Sequence, residues 1–442
     1  MKKTIFFLVL LLSSSFAFSQ TQKGNDIDGE ATGDKSGSSV SMPDANTVAI
    51  GAPENNANGE SSGQVRVYAW SGSAWTQKGV DFDGEAAGDL FGGTVSMPDA
   101  NTLAIGAPQN DNGDTDAGQV KIFQWDGTSW IQKGSTLQGS VTPGFFGGMF
   151  GTSVSMPNAN TVGVGASWFD TVGLFSGQVK VFDRGGTDWV ARGLPITGSM
   201  FSYTGGIVKM PSENVIGVVT QGSTTGNVGM VRVFEWNGTT WAIKGAPISG
   251  ENAGDYSGNS MDMPDENTIA IGAKDNDGSF AQAGHVRIFE WDGTNWVQTG
   301  VSIDGEAIQV QSGHSVSMPD ANTVAIGAIQ NDAVEGDSFK NEAGHVRIYE
   351  MGATGVTENR FSKNLIHVYP NPTKGNFQVE FAKDIKLNNR TIILRNVFGQ
   401  EMWKVTNVSN YHIELKINSQ PGIYFLEISE QNHTSITKVI NE

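Results

Sequence analysis

Carboxylates recur in this sequence at a spacing that suits a hard cation. Asp26, Asp28, Glu30 and Asp34 return as Asp81, Asp83, Glu85 and Asp89. Asp111, Asp114 and Asp116 make a second group, and Asp275 and Asp277 a third. Residues i, i+2 and i+4 of an extended strand point the same way, and Ca²⁺ takes about six to eight oxygen ligands. Calcium is therefore the one cofactor the sequence suggests. The spacing is not that of an EF-hand loop, and the same residue types also build turns and solvate loops.

A second constellation is aromatic. Phe145, Phe146, Met149 and Phe150 fall in one segment, Trp168, Phe169 and Phe175 in another, and Met200, Phe201 and Tyr203 in a third. They stand where other parts of the chain carry the acids. An apolar cluster on an otherwise acidic surface is a binding-site candidate; the alternative is packing between neighbouring elements. Catalytic signatures are missing: there is no Gly-x-Ser-x-Gly elbow, no His-Glu-x-x-His and no phosphate loop. His285, His314 and His345 are the only histidines before residue 353, and His285 and His345 read as strand surface. With Cys at zero, thiol nucleophiles, thiolate metal sites and disulfides are excluded.

These residues must be positioned by a repeated element. Ser-Met-Pro or a near relative recurs with its Met at 42, 97, 156, 210, 263 and 318. A Gly followed by a strand-like run starts at Gly63, Gly118, Gly177, Gly229, Gly284 and Gly344. Each copy holds four runs with period-two alternation, in the first copy Ser38–Met42, Thr47–Ala52, Gln64–Trp70 and Trp75–Phe82, bounded by turn residues. Four short antiparallel strands per period of about 50 residues describe a propeller blade. Paired Trp residues flank four of the hairpins, as at Trp70 and Trp75, and read as cross-strand locks, with a ring of sugar platforms on the opposite face as the alternative. The sixth copy lacks its fourth run. Thr21–Gly29 matches Thr76–Gly84 at seven of nine positions, so the N-terminal strand is expected to complete the last blade and close the ring. Six blades over 20–352 are predicted; seven with one degenerate is the alternative. Antiparallel order then puts the acidic and aromatic loops on one face of the disc.

Phe91-Gly92-Gly93-Thr94-Val95-Ser96 followed by Ile105-Gly106-Ala107-Pro108 resembles the FG-GAP repeats of integrin-α-type propellers, and the resemblance extends over all six copies. The family's calcium loop between these two halves is replaced here by the turn Met97–Asn101. Its calcium binding is therefore not carried over.

The ends are addresses. Lys2 and Lys3, an apolar run from Ile5 to Leu12 and Ala17-Phe18-Ser19 form a signal peptide over 1–19. No later segment is long and apolar enough to be a membrane-spanning helix. After a linker at 353–364, residues 365–442 alternate strands and turns and read as a small β-sandwich. Tyr369-Pro370-Asn371-Pro372 with Gly375 and Phe377, then Gly399-Gln400, then Gly422 with Tyr424, resemble the type A sorting domain of the type IX secretion system. The resemblance implies passage across the outer membrane, partners in the secretion machinery and its sorting peptidase, and surface attachment or release of the rest.

Charge follows the same division. The 442 residues carry a formal −18. Residues 20–352 hold 16 Lys and Arg against 38 Asp and Glu, whereas 353–442 hold 10 against 8. Such an acidic body does not suit a nucleic-acid partner. The expectation is an all-β, exported, non-enzymatic protein that binds a polysaccharide or protein at the cell surface or outside the cell. A polysaccharide-active enzyme and a structural surface-layer protein are the alternatives.

Overall fold

The computed structural model describes residues 22–441, apart from 113, 141–146, 172, 223–225, 331–332, 336–337, 341–343, 352–365, 370–372, 382–389, 397–399, 407, 409, 418–421 and 431–432. The expected signal peptide and linker lie outside the described residues, as do Phe145, Phe146, Pro370, Asn371, Pro372 and Gly399. The chain divides into two compact units, Met1–Glu350 and Met351–Glu442, and all regular structure among the described residues is β-strand.

Among the described residues the first unit holds six successive antiparallel sheets and a separate two-stranded one, Ala333–Glu335 with Ser338–Lys340. In the first sheet Ser39–Asp44, Thr47–Ala52 and Gln64–Trp70 lie side by side. The outer strand is broken into Trp75–Gln77 and Phe82–Asp83, both paired to Gln64–Trp70. The next four sheets repeat this order, with inner strands starting at Thr94, Phe150, Val208 and Ser260. The sixth holds Ser312–Asp320, Thr323–Ala328 and His345–Glu350. The second strand of each sheet is a continuous small apolar run such as Thr-Leu-Ala-Ile-Gly-Ala. All six residues of Thr102–Ala107 are buried, because neighbouring sheets cover both faces.

The Ser-Met-Pro marker has a physical cause. The Ser hydroxyl of one inner strand accepts the backbone N–H of the Met on the next sheet: Met97 N to Ser41 Oγ at 2.9 Å, Met156 N to Ser96 Oγ at 3.0 Å, Met210 N to Ser155 Oγ at 2.9 Å. Where the fourth sheet has Lys209 instead of Ser, its ammonium pairs with Asp262 at 2.8 Å, and Asp262 takes the Met318 N–H. The Met side chains fill the gap between sheets. Met97, Phe91, Leu103 and Ile105 pack with Val65 and Val67 of the sheet before; burying one such side chain contributes about 1.5–3 kcal/mol.

The tryptophan pairs are clamps. Trp125 and Trp130 meet edge to face at 5.5 Å. Trp130 Nε1 donates to the Lys78 carbonyl of the preceding outer strand at 2.7 Å, and the Lys78 ammonium lies 5.1 Å over the Trp125 ring. Each pair thus locks its own hairpin and holds the sheet before it.

The N-terminal segment departs from expectation. Lys23 caps the first hairpin as Lys78 caps the second: Trp75 Nε1 donates to its carbonyl at 2.7 Å and its ammonium lies 4.9 Å over Trp70. Residues 22–29 therefore occupy the station of a preceding outer strand. Yet among the described residues they pair with no strand of the sixth sheet, whose His345–Glu350 bonds only Thr323–Ala328. Met42 is 53% exposed and Val346 67%, while the equivalent Met97, Met156, Met210, Met263 and Met318 are all buried. The predicted closing pair is not formed among the described residues. The match to Thr76–Gly84 identified the segment as an outer-strand run, and its contacts lie with the first sheet's hairpin.

The second unit has a three-stranded sheet, Ile366–Tyr369, Asn376–Phe381 and His412–Lys416, and a four-stranded one ordered Glu401–Thr406, Arg390–Asn396, Gly422–Glu430, His433–Asn441. Phe377, Val379 and Leu415 of the first share a core with Ile392, Leu394, Tyr424 and Leu426 of the second. Of the motif residues, Phe377 and Tyr424 are core, and the Gly375 carbonyl accepts the Ile417 N–H at 2.7 Å. The Tyr369 hydroxyl donates to Glu380 at 3.0 Å, and the Gln400 N–H donates to Asn396 Oδ1 at 3.0 Å.

Candidate functional site

One face of the first unit is built where the loop between second and third strands of one sheet meets the loop entering the next. Their backbones bond directly: Leu90 N to Ser61 O, Met149 N to Asp116 O, Tyr203 N to Phe175 O, Tyr256 N to Asn227 O, Gln311 N to Gln282 O. All ten residues have φ between 47° and 60°. Left-handed backbone costs a residue with a Cβ roughly 1 kcal/mol or more, yet none of these stations is Gly. Their side chains are displayed in pairs at each junction.

The pair between third and fourth sheets is aromatic. Phe175 stacks on Tyr203 with centroids 5.5 Å apart and planes 11° apart. Trp168 meets Phe175 edge-on at 5.4 Å, and Phe201 stands 6.1 Å from it. Leu174 and Met200 beside them are 45% and 49% exposed. Phe201 is itself left-handed at φ 58°, where three other copies have Gly33, Gly88 and Gly254.

Of the aromatic candidates, the structure thus joins Trp168, Phe201 and Tyr203. Phe150 is a correction: it is 1% exposed and packs with Val120, Ile122 and Val164, as Phe91 does one sheet earlier. Period alone could not tell it from its neighbours, since its strand begins there. Phe169 is half-buried against the same cluster, and Met149 is half-buried at a left-handed station.

The acids are dispersed. No three acidic or histidine side chains converge among the described residues. Asp34, Asp89 and Asp255 are buried, and each pins a loop. Asp89 Oδ2 accepts Asn110 Nδ2 at 2.9 Å and the Ala86 N–H at 3.0 Å; Asp34 and Asp255 do the same with Asn55 and Asn276. Asp26 and Asp81 accept from Gln22 and Gln77, and Asp83 from Gln64. Asp28 offers its backbone carbonyl to Arg66. Asp111 and Asp277 cap the backbone of Asp116 and Gln282, Asp114 caps Thr115, and Asp275 pairs with Lys274 at 2.7 Å. Burial and the neighbouring Asp111 push the Asp116 carboxyl up. Asp89→Ala strands the Asn110 amide and is expected to cost about 1–3 kcal/mol, equally in calcium and in chelator. A shift of the denaturation midpoint confined to calcium buffer marks the carboxylate as a metal ligand instead.

Glu30 and Glu85 have ion-pair partners. Glu85 Oε1 lies 2.5 Å from Lys121 Nζ, and Gln119 and Asn112 donate to Oε2 at 3.1 and 2.8 Å. The Lys121 ammonium holds the Glu85 carboxyl below the usual range. Glu30 faces Gln64 at 3.1 Å and Arg66 at 3.6 Å in the first sheet. His285 is another correction. It is 1% exposed rather than on the strand surface, and burial followed by the Arg287 charge lowers its pKa.

No curated protein matches this sequence. Among solved structures, the chain is similar to a candidate 6-phosphogluconolactonase from Bacteroides uniformis, at 10% identity and TM-score 0.48 over 71% of this chain and 87% of that one. It is also similar to the β-propeller domain of the Trilobed protease from Pyrococcus furiosus, at 10% identity and TM-score 0.40 over 77% and 87%. Residues 367–442 match the family described as the secretion system C-terminal sorting domain. The chain therefore carries a type IX secretion sorting domain, and it is exported to the cell surface or the extracellular space.

Proposed function

We propose that this chain is a non-enzymatic binding protein: a six-bladed FG-GAP-type propeller joined to a β-sandwich sorting domain, which captures a polysaccharide or protein through the aromatic junction of its third and fourth blades. One observation carries this reading. Phe201 holds a left-handed backbone at a position where three other copies use glycine. Gln309 holds the same station at the entry to the sixth sheet with φ 63°, so what sets Phe201 apart is its aromatic side chain; left-handed residues with a Cβ cluster at binding and catalytic sites. Its neighbours Trp168, Phe175 and Tyr203 offer flat apolar faces on a rigid scaffold, the form that ligand-stacking sites take.

The test restores the repeat's own residue. Phe201→Gly is expected to leave the melting temperature unchanged or slightly higher, since relieved strain offsets a lost contact. It is expected to weaken capture at least tenfold on a panel of immobilised polysaccharides and matrix proteins, read in calcium and in chelator. Unchanged capture, or a collapse of stability, returns the cluster to a packing role.

A further inference from the structure

The third sheet keeps a set of donors whose acceptor its sequence has removed. In the second sheet Gln119 Nε2 and Lys121 Nζ, two apart on one strand and so on one side of it, hold the Glu85 carboxylate at 3.1 and 2.5 Å. Gln64 and Arg66 hold Glu30 likewise. In the fifth and sixth sheets Arg287 faces Glu251 at 3.7 Å and Arg347 faces Glu306 at 3.0 Å. The station is a carboxylate cradle, and in the second sheet it opens to solvent, since the Glu85 side chain is 44% exposed.

In the third sheet Gln178 and Lys180 stand where Gln119 and Lys121 stand in the second. Ser140 replaces Glu85, and no Asp or Glu occurs between Gln138 and Phe150. Gln178 is 2% exposed and its Nε2 is buried without a hydrogen-bond partner. A buried amide donor left unpaired is costly. Among the described residues the Lys180 ammonium lies over the ring faces of Phe150 and Phe169, each at 5.9 Å. Burial alone lowers its pKa, with no charged partner opposing. The fourth sheet also lacks the acid: Ser199 takes its station, and among the described residues the Arg232 guanidinium bonds Thr204 and Thr220. These are the two sheets whose junction is aromatic.

We propose that Gln178 and Lys180 bind a carboxylate supplied by the ligand, a uronic acid residue of an acidic polysaccharide. This rests on the binding face argued above. Glu85 in its cradle is the internal template for the carboxylate. A uronic acid also joins that group to a ring with an apolar face, which matches the aromatic cluster next to Trp168 and Phe169.

Calorimetry on the full chain with trigalacturonate and trimannuronate, their methyl esters, neutral maltotriose and triglutamate tests this. The free acids are expected to bind at least tenfold tighter than the esters. Lys180→Met erases that preference. Ser140→Glu, which gives the third sheet its own carboxylate, abolishes acid binding and raises the melting temperature. Equal affinity for acid and ester overturns the proposal, as does a Ser140→Glu protein no more stable than its parent. Neutral-sugar binding that is lost in Phe201→Gly, without any acid preference, leaves the binding face standing and removes only the cradle. Triglutamate bound through Lys180, with no uronate bound, also overturns it and assigns the cradle to an acidic peptide. A parent chain that binds none of these probes overturns both.

Discussion

Phe150→Ala is expected to destabilise the chain by about 3–5 kcal/mol, the usual cost of emptying a buried phenylalanine site. Phe201→Ala, two loops away in the same aromatic run, should change it by less than about 1 kcal/mol. The difference follows from position. Phe150 is 1% exposed at the start of an inner strand and meets Phe182 edge to face at 6.2 Å. Its ring touches residues of the second and third sheets, so its loss opens a cavity that neither sheet can collapse into without leaving the other. Phe201 is half-buried in a loop. Urea denaturation followed by tryptophan fluorescence separates the two. A Phe150→Ala midpoint equal to that of the parent removes Phe150 from the core. A Phe201→Ala loss of several kcal/mol makes the aromatic junction packing and not site.

That contrast also shows what sequence patterning can and cannot reveal here. The repeat was legible because its markers are physical necessities: Ser41, Ser96 and Ser155 cap the next sheet's Met N–H, and the tryptophan pairs clamp the preceding outer strand. Strand order followed from alternation, and the face shared by acidic and aromatic loops followed from strand order. The site was legible only as a region. Phe145, Phe146, Phe150 and Phe201 look alike in a string, and only the third dimension shows that Phe150 occupies the Phe91 core station. The acids are ambiguous because a loop-pinning Asp and a calcium-binding Asp use the same residue at the same spacing; Asp89 has Asn110 within reach. Gln178 and Lys180 were missed because their signal is an absence. Nothing marks them until Ser140 is set beside Glu85 and the partner is seen to be missing.

Gly177→Ala is expected to cost about 2–4 kcal/mol, and Gly186→Ala only about 1 kcal/mol. The two glycines have the same φ of 68°, so the left-handed penalty is common to both. They differ in what a methyl group meets. At Gly186 nothing lies within 4 Å. At Gly177 the new carbon falls 2.9 Å from the Thr204 carbonyl carbon and closer still to its oxygen and nitrogen. These are main-chain atoms of the next sheet, joined there by a parallel bridge between Gly177 and Thr204, and no side-chain rotation relieves the clash. The backbone of the third–fourth junction must move apart. Tyr203 precedes Thr204, and Phe175 lies two residues before Gly177, so the same movement separates the stacked pair. Gly177→Ala should therefore lose ligand capture together with stability, whereas Gly186→Ala keeps both nearly intact. Equal stability losses for the two variants would reduce the effect to local backbone strain and dissociate the glycine from the junction. A Gly177→Ala protein that is destabilised but binds normally would show that the aromatic pair does not depend on the interlock beneath it.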